Sequence, residues 1–226
     1  MNKKSKSNIT VAMAIILIYL AVQFLPVILT VFVPIADRVA LSMNLTLLCS
    51  FLGAAIMLLL NHLRTWTPAN SITNRPSSSI STVLAYGVVG FIGALIVQII
   101  ALNVEVLLFQ APATSENTEV LLDLTNQYPF FIFNIIVFAP VMEEFVFRKA
   151  IVTSLVDSTG MVGAATISSL IFAFAHADGH LLIYGALGLW FSFLYNKTKN
   201  IATPMIAHGL MNAMSAYPIL LHLLSH

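Results

Sequence analysis

Apolar residues run through this chain in long unbroken blocks, with polar residues confined to short intervals between them. Blocks long enough to cross a bilayer, each about 17–25 residues, fall at 9–33, 39–62, 83–110, 129–151, 161–177, 181–196 and 201–224. The fifth and sixth are short, so they must stand nearly upright or span incompletely. A segment surrounded by lipid has to satisfy its backbone groups internally, so each block is expected to be helical. The pattern predicts an all-α polytopic membrane helical bundle of about seven transmembrane helices, within a range of six to eight. It forms a single integral membrane domain over residues 1–226, and no polar stretch is long enough for a soluble domain.

Composition agrees. Of the 226 residues 59% are hydrophobic and 8% charged, where soluble domains carry about 25% charged residues. The net charge of +1 removes any argument for nucleic acid as a partner. The single cysteine, Cys49, excludes an intrachain disulfide and reads as a small packed hydrophobe. Lys3, Lys4 and Lys6 precede an apolar run too long for a signal-peptide core, so that run is expected to be a retained first span.

The cations orient the bundle. With the amino terminus in the cytoplasm, the inner side collects Lys3, Lys4, Lys6, Arg64, Arg75, Arg148, Lys149, Lys197 and Lys199, and the outer side only Arg38. Loops rich in lysine and arginine stay inside, so the carboxyl terminus is expected outside. The interval 111–128 then faces outward, and Val120, Leu121 and Leu124 at helical spacing predict a short helix on the membrane surface. The interval 64–82, with Pro68, Pro76 and Ser77–Ser79, is turn-rich and expected to be mobile. Gly87, Gly90 and Gly93, like Gly185 and Gly188, are spaced for close helix packing.

The chemistry concentrates where lipid should be. Glu143, Glu144 and Arg148 lie inside the fourth block, although one charged side chain at mid-membrane costs about 2.5–3.5 kcal/mol or more. Glu144 and Arg148 share a helix face at i,i+4. Glu143 points about 100° away without a local cation, and an unpaired carboxylate in a desolvated site suits a general base. Pro140 withdraws a helix hydrogen bond from the carbonyl of Ile136, so the helix is expected to open there. A structural ion pair, with the glutamates as counter-ions to Arg148 and Lys149, is the plainer reading of the same residues.

His176 closes the fifth block. His208 stands four residues before Asn212, on one face, where both can donate to a single developing oxyanion. Helix-to-helix hydrogen bonding is the alternative for each histidine. His176 and His180 also have the i,i+4 spacing of metal ligands, with Glu143, Asp178 or His208 to complete a zinc site. Asp178 and Gly179 read as a turn, however, and no HExxH pattern is present, so no metal or other cofactor is expected. His62, His222, His226 and Glu105 are read as interfacial. No Gly-x-Ser-x-Gly elbow occurs, nothing marks Ser168 or Ser169 as a nucleophile, and no aspartate pair lies within the spans.

Taken in order, Glu143-Glu144-x-x-x-Arg148, Phe172-x-x-x-His176 and His208-x-x-x-Asn212 resemble the motifs of the CAAX protease and bacteriocin-processing family of intramembrane glutamic endopeptidases. The resemblance covers about residues 129–215. It implies a metal-independent endopeptidase in which Glu143 is the general base, His176 helps to activate water, His208 and Asn212 form the oxyanion hole, and Glu144 with Arg148 orders the site. The expected substrate is a peptide or protein at the membrane, and the expected location a bacterial plasma membrane with the cavity open to the cytoplasm. Family roles include bacteriocin maturation, self-immunity and peptide-pheromone processing. The alternatives are a non-proteolytic membrane regulator or immunity protein that binds a partner through the same fold, and a small transporter with an ionisable pathway.

Counting ~1.5 Å per residue, Glu143 and His208 fall about 10–12 Å from the cytoplasmic ends of their blocks, whereas His176 falls more than 20 Å from its own. Convergence requires the fifth block to start deeper, tilt or shift outward.

Overall fold

A computed structural model describes residues 3–63, 70–113 and 115–224, with backbone alone at 3–10, 35–37, 117, 220 and 222–224. Arg64 and His226, and the side chains of Lys3, Lys4, Lys6, Asp37 and His222, therefore lie outside the described residues. Three long helices come first: α1 (Lys3–Thr30), α2 (Ile35–His62) and α3 (Ile80–Phe109). Each is apolar all round, as a helix facing both lipid and protein must be. A short amphipathic helix α4 (Glu116–Gln127) follows, capped by the hydroxyl of Ser115, which accepts from the Thr118 amide at 3.2 Å.

The next helical run extends from Pro129 to His176, 48 residues. Straight, it would measure about 72 Å at 1.5 Å per residue, more than twice the ~30 Å of a hydrocarbon core. Gly160 breaks it: φ 72 and ψ 171 lie in a region that only glycine occupies readily. The run folds back on itself there. Ser168 Oγ donates to the carbonyl of Phe147 at 2.7 Å, and the rings of Phe147 and Phe172 meet edge-on at 5.0 Å. The first arm carries a π-helical turn (Asn134–Phe138), α5 (Ala139–Glu144) and a second π segment (Phe145–Val152), and continues as α6 (Thr153–His176), which holds the break. The chain ends with α7 (Leu181–Thr198), α8 (Ala202–Ser215) and α9 (Tyr217–Leu224).

The all-helical, polytopic architecture matches the hydropathy pattern, and several boundaries move. The fourth block runs on as helix through Thr159 instead of ending at 151. Glu143 then stands 17 residues from Gly160 along one arm and His176 stands 16 along the other, so the two reach the same depth and the apparent mismatch disappears. The seventh block is two helices, since Pro218 has no N–H to offer Met214 and its ring crowds that carbonyl. The interval after α2, expected to be mobile, is hydrogen-bonded to the bundle at several of its described residues. Asn70 is buried and donates to the Thr153 carbonyl at 3.0 Å, the Ser71 amide donates to Asp157, and the Ser78 amide donates to the Thr198 carbonyl.

The glycines of α3 admit neighbouring helices: a Cβ at Gly87 would meet Ile206, at Gly90 Leu194, and at Gly93 Trp190. Gly188 abuts Ser169 in the same way, whereas Gly185 faces open space. Two apolar clusters flank the polar centre. One joins Met142, Phe145, Phe147 and Phe172 to α1 and α2, and the other joins Leu187, Phe191, Ala207 and Met211 to α3.

Candidate active site

The carboxylate pair divides as its helical angles require. Glu144 is fully buried, and its Oε1 lies 3.2 Å from Arg148 Nη1 and 3.0 Å from His208 Nδ1. Arg148, also fully buried, donates from Nη2 to the Gly188 carbonyl at 3.3 Å and lies over the rings of Phe172, at 4.7 Å, and Phe191, at 5.4 Å. Aromatic faces attract a guanidinium and replace part of its lost hydration. Glu143 retains 14% side-chain exposure, and its Oε2 is 3.7 Å from His208 Nε2. The imidazole of His208 is thus held between both carboxylates, with its ring stacked on Phe191 at 4.8 Å.

His176 ends α6, and Ala177 beyond it takes a left-handed φ of 53. Its Nδ1 lies 2.8 Å from the Phe172 carbonyl. A carbonyl only accepts, so Nδ1 carries a proton, and in the neutral ring Nε2 keeps its lone pair. The ring stacks on Tyr184 at 3.7 Å. The Tyr184 hydroxyl donates to Asp178 Oδ2 at 2.8 Å, and Ser115 Oγ donates to the same oxygen at 2.5 Å. Burial alone would push the Asp178 carboxyl up; the two hydroxyls, the His180 amide and the His180 ring outweigh it and hold the group below its ordinary value. The residue that caps α4 is therefore tied to the residue that packs on His176.

Asn212 is positioned by the π turn. In that turn the Ala139 amide bonds to the Asn134 carbonyl, an i,i+5 pairing, and the same register would match the Ile135 carbonyl with the nitrogen of residue 140. Residue 140 is proline and has no hydrogen to give. Asn212 Nδ2 donates to Ile135 O instead, at 2.9 Å. The helix does open at Pro140, and the freed carbonyl is that of Ile135 where an α register points to Ile136. Gly209 makes the approach possible, since a Cβ there would lie 2.8 Å from Ile136 O.

Glu143, His176, His208 and Asn212 line one cavity of about 510 Å³, together with Gln98 and Leu102 of α3, Leu121 of α4 and Tyr184 of α7. Glu105, read as interfacial, is instead buried in the bundle and in contact with His180. Glu105 is 3% exposed, accepts from the Leu182 amide at 2.5 Å and the Ile183 amide at 3.3 Å, and lies 2.7 Å from His180 Nδ1. It caps α7 with a carboxylate at the positive end of the helix dipole. His180 is thereby engaged with α3, and the turn at Ala177 and Gly179 takes His176 and His180 off a common helix face.

Residues 125–214 match the family model described as type II CAAX prenyl endopeptidase Rce1-like. The chain is 30% identical over 208 residues to the "Membrane-embedded CAAX protease MroQ" of Staphylococcus aureus (strain USA300), covering 87% of this chain and 84% of that protein. This chain belongs to the CAAX protease family. It is also 39% identical over 164 residues to the "Putative membrane peptidase YdiL" of Bacillus subtilis (strain 168), covering 72% of this chain; it spans 66% of that protein's length, just short of two thirds. No solved structure matches the chain.

The CAAX-family match takes in the carboxylate pair, both histidines and Asn212, and leaves Glu105 and Ser115 outside it. Sequence reasoning passed over Tyr184, Asp178 and Ser115 as a group. The available signal was faint: a tyrosine in an apolar block six residues after a loop aspartate.

Proposed function

We propose that this protein is an intramembrane glutamic endopeptidase. The observation that carries the reading is His208, held between a buried, ion-paired Glu144 and a partly exposed Glu143, on the wall of a cavity that His176 and Asn212 also line. In this reading His208 works as the imidazolium, with Glu144 facing its Nδ1 and Glu143 facing its Nε2. In that form Nδ1–H serves Glu144 and Nε2–H is available to a ligand.

Water held between Glu143 and the lone pair of His176 Nε2 attacks the scissile carbonyl carbon. Its proton passes to the Glu143 carboxylate, and the new oxyanion accepts from His208 Nε2–H and the second Nδ2 hydrogen of Asn212. Collapse breaks the C–N bond, and the departing nitrogen takes the proton back from Glu143. Removing one donor to such an oxyanion costs about 2.7–4 kcal/mol, and a low-dielectric site strengthens each contact. The bacterial relatives support a bacterial plasma membrane as the location, and the charge pattern supports a cytoplasmic amino terminus.

The test is mass spectrometry of peptides released from native membranes by wild type and by Glu143→Gln. Fragments present with wild type and absent with the variant are expected, and a strong chelator should leave their release unchanged. Identical fragment sets would overturn the reading in favour of a partner-binding role. Loss with chelator, restored by zinc, would replace the mechanism with a metal-dependent one.

A further inference from the structure

The cavity extends from the polar centre toward one end of the bundle only. Its α7 wall runs from Ile183 to Phe191, toward the start of that helix, and its α8 wall from His208 to Ser215, toward the end of that one. Besides α3 and the two arms of the 129–176 run, the wall includes α4, with Ala113 and Ser115 just ahead of it. Toward the opposite end the centre is closed by packed side chains: Phe145, Ala150, Leu194, Thr203 and Ala207 are all buried.

The two ends differ in charge. Lys149 of the closed end donates to Asn61 at the foot of α2, the Ser78 amide just before α3 donates to Thr198 at the end of α7, and Arg75 faces Lys199 across the same end. Lys197 lies beside them. The cavity end carries Glu105, Glu116, Glu119, Asp123 and Asp178, and among the described residues Arg38 is the one lysine or arginine there. Lysine and arginine concentrate on the cytoplasmic side of membrane helices.

We infer that the cavity opens to the extracytoplasmic face, so that the polypeptide cleaved is one presented from outside the membrane or at the outer end of a spanning segment. This rests on the peptidase reading of the site and replaces the expectation of a cytoplasmic opening. Among the described residues, the cytoplasmic face offers a substrate packed side chains, and the polar centre is reached past α4.

Sidedness is measured with single cysteines in a Cys49→Ser background, in intact spheroplasts, using a charged methanethiosulfonate reagent that does not cross membranes. Ala113→Cys and Ser215→Cys, on two separate walls of the cavity, are expected to label fully without permeabilisation. Lys197→Cys is expected to label only after it. The reverse pattern, with the cavity cysteines protected until the membrane is opened, overturns the inference. Glu143→Gln membranes assayed in parallel separate the two claims. Reversed labelling with Glu143-dependent fragments retains the peptidase and discards outward access; the expected labelling with fragments independent of Glu143 discards the peptidase and retains the outward opening.

Discussion

Arg148 is fully buried, and its surroundings show how a cation is accommodated there. Glu144 supplies the counter-charge, the Gly188 carbonyl accepts one N–H, and two phenylalanine rings cover the plane. Removing one member of such a pair strands the other. Arg148→Met should destabilise the protein by about 3–5 kcal/mol, read as a lower melting temperature in liposomes. The double variant Glu144→Gln/Arg148→Met should recover most of that loss, because both charges are then gone. If the two single effects simply add, the pair is not coupled as described. The i,i+4 spacing made this pair legible in the sequence. That His208 completes it was not, since the imidazole arrives from a helix 64 residues away. Glu105 and His180 were hidden for the same reason: each stood at the end of an apolar block, where a polar side chain needs no special explanation, and their contact spans 75 residues.

Among the elements, the two breaks in the 129–176 run position the site. The first is the π turn before Pro140, which frees a carbonyl that Asn212 then occupies. Proline marked that opening in advance, although the choice of carbonyl depended on a helical register that sequence does not reveal. The second is Gly160, which sets both arms to equal length so that Glu143 and His176 come level. The block boundaries obscured it, because Thr153, Asp157 and Ser158 dilute the apolar pattern and read as a loop where helix continues. An L-residue at Gly160 must adopt φ 72 with ψ 171, at a cost of about 1–3 kcal/mol. Gly160→Ala should therefore lower the melting temperature, although its Cβ would meet nothing within 4 Å. An unchanged melting temperature would mean that the turn is not held in that conformation.

At the scale of the whole molecule, α1 and α2 pack against one side of the polar centre while α3, α7 and α8 close the other, leaving one cavity end covered by α4. The all-helical polytopic bundle and the presence of a short helix at α4 were readable from hydropathy alone, whereas the division of the seventh block into α8 and α9 was not. Nor was the direction of the cavity, because it depends on which ends of α7 and α8 remain unfilled. Everything proposed for function converges on Glu143 as the group that takes a proton from water. The most direct measurement is turnover of a peptide identified among the released fragments, by purified protein in liposomes, comparing wild type with Glu143→Gln. Cleavage should fall to background while the melting temperature stays at the wild-type value, since Glu143 is the less buried carboxylate and is outside the Arg148 pair. Cleavage that continues at the wild-type rate with the amide in place would contradict the assignment.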